Sequence, residues 1–194
     1  MNLKVERSPS RSAPLSNETF GMILFLVGEV MFFAGLMSSY IVLRLGAVEW
    51  RPAELPPLWR GLSLGNTLLL CVSGISMFLS HRSIRRDDPV GLRLYLGITM
   101  VLGLSFVAIQ AYEYQRLMRI VPMPGNLFGS VFYATGILHA LHVVAGIILL
   151  AFVLWKALRG KYHRYRSTGV AVSSLYWYFV VLVWVFLFVA LYVL

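Results

Sequence analysis

Five long apolar runs, roughly 20–44, 61–81, 92–115, 128–157 and 171–194, alternate with short polar segments along the chain. About 20 consecutive apolar residues cross a bilayer core as a helix, so each run predicts one transmembrane helix. The connections leave no room for a separate soluble domain. The expected fold is all-α, a polytopic membrane protein whose five transmembrane helices form one bundle over residues 20–194, preceded by a polar tail at 1–19. The first run is too long for the apolar core of a cleaved signal peptide, so no targeting segment is expected.

Composition agrees. Of 194 residues 59% are hydrophobic and 13% charged, with mean hydropathy +0.76, far from the usual soluble domain. A net charge of +9 raises the question of nucleic acid, but the basic residues lie between the apolar runs instead of on one soluble face, so no nucleic-acid partner is expected. They report topology. Lys4, Arg7, Arg11, Arg82, Arg85, Arg86, Arg93, Lys156, Arg159, Lys161, Arg164 and Arg166 fall on one side, and Arg44, Arg51, Arg60, Arg116 and Arg119 on the other. The richer side is the cytoplasmic one, which places the N-terminus inside and the C-terminus outside. The single cysteine, Cys71, lies within an apolar run and reads as a small packing residue.

The first run carries one ionisable group near its middle, Glu29. A carboxylate at that depth costs on the order of 3 kcal/mol by insertion scales, so it should face protein, a lipid headgroup or water. Gly21, Gly28 and Gly35 recur every seven residues, and this smooth stripe should admit a second helix closely, with Glu29 beside it and inside the bundle. Both a functional acid and a hydrogen-bonded packing residue fit. In the first loop Trp50, Pro52, Pro56, Pro57 and Trp59 suit a rigid segment with its indoles at the headgroup level.

The second span opens on Gly61 and Gly65 and continues with Asn66, Thr67, Ser73 and Gly74, a face for close packing and interhelical hydrogen bonds in which Asn66 reads as glue. In the third, Gln110 and Glu113 share a helix face, and Glu113 reads as a solvated or hydrogen-bonded helix end. Thr135, His139, His142 and Gly146 form one stripe of the fourth. Two histidines three apart invite a metal, yet few further ligands stand at compatible depth, so packing and hydrogen bonding to a neighbouring helix is the expected use and no metal is assigned. The fifth span is aromatic, from Tyr176 and Trp177 to Trp184 and Tyr192, which suits a packing or lipid-facing surface. No nucleophile–base set is found, and no catalytic residue is assigned.

Four stretches together resemble the subunit III family of the haem-copper respiratory oxidases. Leu24-Phe25-Leu26-Val27-Gly28-Glu29-Val30-Met31-Phe32-Phe33 is similar to the family's glutamate helix. Asn66-Thr67 with Ser73-Gly74 is the second. Gln110-Ala111-Tyr112-Glu113-Tyr114 matches Q-x-x-E-Y, and His139 to Gly146 matches H-x-L-H-V-x-x-G, with Phe128-Gly129-Ser130 ahead of it. Many members have seven spans; this chain is similar to bacterial forms with five. Thr135-Gly136 stands one residue further from His139 than in the family's T-G-x-H. The family's Y-W-H-F-V-D reads here Tyr176-Trp177-Tyr178-Phe179-Val180-Val181, without its His and Asp.

The resemblance implies a non-redox subunit of a bacterial plasma-membrane oxidase, with haem and copper in partner subunits, subunit I and subunit II, and none in this chain. It implies bound phospholipid in a cleft beside the glutamate helix, and support of proton uptake and oxygen access. Glu29 is then the lipid or proton-path residue, and His139, His142, Gln110, Glu113 and Asn66 a structural polar network. The alternatives are a quinol oxidase subunit III or nitric oxide reductase accessory subunit, a haem b quinone-linked membrane anchor using the histidines, and a small proton-coupled transporter. Two histidines on one helix argue against the anchor, and the lack of an inverted repeat against the transporter.

Overall fold

A computed structural model describes residues 16–48, 50, 58–121, 127–163 and 167–193, without the side chains of 58–60. The expected tail up to residue 15, the loop prolines Pro52, Pro56 and Pro57, and the Trp59 side chain lie outside these residues. Five helices follow: α1 Asn17–Gly46, α2 Leu58–Arg85, α3 Pro89–Met118, α4 Leu127–Leu158 and α5 Thr168–Phe188, the last running into a π-helical turn, Val189–Val193. Each has the length and hydropathy to cross a membrane. All begin one to three residues ahead of the apolar runs, and polar residues cap two of them, α1 and α3. Ser16 accepts from the Thr19 amide at the head of α1. Asp88 accepts from the amides of Val90 and Gly91 with Pro89 at the first helical position of α3.

The α2–α3 connection is a tight hairpin. Asp87 takes a left-handed φ of 56°, and the Asp88 amide bonds back to the Ser83 carbonyl. Gly91 follows for want of space, since a Cβ there would stand 2.2 Å from an Asp88 carboxyl oxygen. At the end of α4, Gly160 has φ +66° and the Lys161 amide reaches the Lys156 carbonyl, a Schellman closure.

Helices α2 to α5 make a four-helix bundle, and α1 lies outside it along α5, touching α4 lightly. Burial measures the difference: 11% of the apolar stretch of α1 is buried against 56% of that of the last helix. The core is therefore built around α5, whose Trp177, Trp184 and Tyr192 are fully enclosed. The aromatic surface is thus a packing surface. The Trp177 ring sits against Gly103 of α3 and Gly146 of α4, where an added Cβ would come within 3.0 Å or less of it. Polar rungs join α2 to its neighbours along the bundle. The indoles of Trp177 and Trp184 donate to Ser73 (3.1 Å) and Thr67 (3.0 Å), and Asn66 donates to the Phe106 carbonyl (3.2 Å).

Two packing expectations are corrected. Gly21, Gly28 and Gly35 face away from the bundle, with nothing within 4 Å of where a Cβ would be. The reason is helical phase: Phe33, Met37 and Tyr40 are the buried residues of α1 and stand roughly 140° round the helix from the glycines. Gly61 and Gly65 likewise meet open space. Trp50 packs edge-on to Tyr40 (5.3 Å) and Phe128 (5.8 Å).

Candidate functional site at the seam of the first and fourth helices

Phase decides where Glu29 goes. It lies between the outward glycines and the buried Phe33 face, so its side chain crosses the seam toward α4 and keeps 20% of its surface exposed. There Glu29 Oε2 meets Nε2 of His142 at 3.0 Å, and this contact closes the gap between two helices that otherwise scarcely touch. The other nitrogen of His142, Nδ1, donates to the Leu138 carbonyl at 2.7 Å. With Nδ1 carrying hydrogen, the Nε2···Oε2 contact needs one proton shared between carboxyl and imidazole, and wherever it rests the pair as a whole is neutral. A neutral pair is how a carboxyl is held at this depth without a net charge in hydrocarbon.

The ring is held in place from several sides. Phe33 stands edge-on to it at 5.1 Å, and the Tyr176 hydroxyl of α5 donates to the His142 carbonyl at 3.0 Å. Toward the end where α1 begins, the same seam opens into a pocket of about 520 Å³ whose lining includes Glu18, Phe152, Lys156, Tyr162, Thr168 and Ser173. Lys156 there lies over the Phe152 ring at 4.2 Å. From Glu18 to Glu29 helix α1 climbs roughly 16 Å, so the seam has a carboxylate and an ammonium at its mouth and the neutral pair at its head. Nothing in the sequence marks Lys156, Glu18 and Tyr176 as part of this site. Only their helical phase relative to Glu29 and His142 could have signalled them.

The expected polar network divides. His139 does not join it: it is fully buried, stacked on Trp184 (5.0 Å) and edge-on to Phe106 (6.3 Å), with no hydrogen-bond partner at either ring nitrogen among the described residues. It packs between helices through ring contacts, without hydrogen-bonding to them. Asn66 donates to Gln110 at 3.1 Å, and Gln110 donates to the Tyr192 hydroxyl at 3.3 Å. Glu113 is 3% exposed and accepts a hydrogen bond from Ser63, so of the two expected readings it is the hydrogen-bonded one that holds, and the group is buried instead of solvated. Ser63 was overlooked, although it precedes Asn66 by one helical turn on the same face of α2. Among the described residues no group of three or more His, Cys, Asp and Glu is placed to hold a metal ion.

Residues 14–194 match the model of the family described as cytochrome c oxidase subunit III. The chain is similar to the cytochrome c oxidase subunit 3 of Synechocystis sp., 39% identical over 176 residues, covering 90% of this chain and 75% of the relative. It is similar also to that of Thermostichus vulcanus, 35% identical over 175 residues (90% and 86%), and to a probable cytochrome c oxidase subunit 3 of Mycobacterium leprae, 36% identical over 174 residues (89% and 85%).

Proposed function

The chain belongs to the cytochrome c oxidase subunit III family, and from that premise we propose that it is the non-redox third subunit of a haem-copper terminal oxidase in a bacterial plasma membrane. It packs there against the haem- and copper-bearing subunit I and against subunit II, holds phospholipid, and supports proton uptake and oxygen access during turnover. One observation carries the reading: the Glu29–His142 contact bridges α1 and α4 above a pocket with opposite charges at its mouth. A zwitterionic or anionic headgroup suits Lys156 and the start of α5, while an acyl chain fits the apolar seam beneath the neutral pair. The seam stays open because α1 is set outside the four-helix bundle, and Glu29 fixes its width.

Glu29→Ala and Glu29→Gln in the purified complex test this. Loss of the carboxyl in the alanine variant should lower the phospholipid retained per chain and shorten the turnover sustained before activity falls. The glutamine variant, which can still donate to His142, should sit close to wild type. Unchanged lipid content and unchanged inactivation in the alanine variant would overturn the reading. Haem and copper, counted per chain before and after the larger subunits are stripped away, should leave with those subunits; haem retained on the isolated chain would favour the quinone-linked anchor.

A further inference from the structure

A second polar cluster lies away from the Glu29 seam, toward the end of the bundle where α3 finishes and α2 begins. Ser63 and Asn66 project from α2, Gln110, Glu113 and Tyr114 from α3, and Tyr192 from the π turn after α5, and all six are at most 6% exposed. A π turn inserts an extra residue into the helical register, and such turns recur at functional sites. Here it brings Tyr192 against Gln110.

The bonds within the cluster leave three oxygens over. Ser63 occupies Oε1 of Glu113, and Asn66 spends its amide hydrogens on Gln110 and the Phe106 carbonyl. Among the described residues, Glu113 Oε2, Asn66 Oδ1 and the Tyr114 hydroxyl have no hydrogen-bond partner. Unpartnered buried oxygens are uncommon, and three in one buried cluster call for a ligand that these residues do not supply. No cationic side chain pairs with Glu113 among the described residues.

The chemistry of the three oxygens selects the ligand. The amide oxygen accepts, while the tyrosine hydroxyl and a protonated carboxyl oxygen can donate. One water meets all three, accepting from the carboxyl O–H and from the tyrosine and donating to the amide oxygen, and about three bonds is the ordinary complement of a buried water. A hard metal cation would take about six oxygens or more. We propose that this cluster is a hydration site for a single buried water, held by Glu113, Asn66 and Tyr114, and that the water makes Glu113 a proton-exchanging carboxyl. In the exchange the carboxyl O–H bond breaks as its proton passes to the water oxygen, and the water returns one of its own protons, with no net change of charge.

Electron cryomicroscopy of the chain in its native assembly tests the site, and infrared spectroscopy on transfer from H₂O to D₂O tests the exchange. A density peak is expected about 2.6–3.2 Å from both Glu113 Oε2 and Asn66 Oδ1. A carboxyl band absent from Glu113→Gln should shift within minutes of transfer. Tyr114→Phe keeps the ring beside Phe132 and Tyr133 and removes one bond to the water, so it should slow exchange about tenfold in a folded assembly. Direct contact of the three oxygens with no peak between them would overturn the proposal. So would a peak with the shorter distances and higher coordination of sodium, the lack of a Glu113-dependent band, or a band whose exchange Tyr114→Phe leaves unchanged.

Discussion

Among the described residues two carboxyls fall within the apolar runs, and each is accommodated differently. Glu29 meets an imidazole across a seam and the two are neutral together, whereas Glu113 is enclosed among hydroxyls and amides of the bundle. Glu29 was legible in the sequence because one charge interrupts a long apolar run. Its partner was not: the stripe of Thr135, His139, His142 and Gly146 defines a helix face without saying which helix lies opposite. The two histidines diverge for the same reason, since one turn of helix moves the ring from the α1 seam into a box of aromatic rings. The indole rungs are the residue-scale device that can be measured most directly. A double-mutant cycle on Trp177→Phe and Ser73→Ala should give a coupling of about 0.6–1.7 kcal/mol, the range for interhelical hydrogen bonds in membranes, read from reversible unfolding in mixed micelles. A coupling near zero would mean that the indole serves by shape alone.

At the scale of the helices, length and hydropathy placed all five spans, and the structure starts each one to three residues earlier. Glycine was the misleading signal. The regular stripe Gly21, Gly28 and Gly35 faces away from the chain's other helices, while the isolated Gly103 and Gly146 are the positions against which Trp177 packs. Periodicity marks a smooth face, but only the bulk of a neighbour shows whether anything rests on it. Gly103→Ala and Gly146→Ala should each cost about 1–3 kcal/mol by overpacking, whereas Gly28→Ala should leave the isolated chain's stability within about 0.5 kcal/mol. Equal effects at all three positions would contradict the placement of α5 at the centre. The aromatic fifth span was readable as a packing surface, but its central place was not, because every one of the five runs is apolar enough to face lipid.

For the whole molecule, the asymmetry of Lys and Arg predicts an orientation that labelling can check. In a Cys71→Ala background, Asp87→Cys in the α2–α3 hairpin should resist a membrane-impermeant maleimide in intact spheroplasts, and Ala47→Cys at the far end of α1 should react. The opposite pattern would invert the bundle. The position of α1, outside the four-helix bundle yet tied to α4 and α5, also bears on how the chain is made. Glu29 is translated 113 residues ahead of His142. At 5–20 residues per second, roughly 6–23 s pass between the synthesis of the two. For that interval the first helix holds an unpartnered carboxyl, and the helix along which it will lie does not yet exist. The insertion machinery or the water at its mouth must host Glu29 meanwhile. Of these five helices, the least settled is therefore made well before the one that settles it.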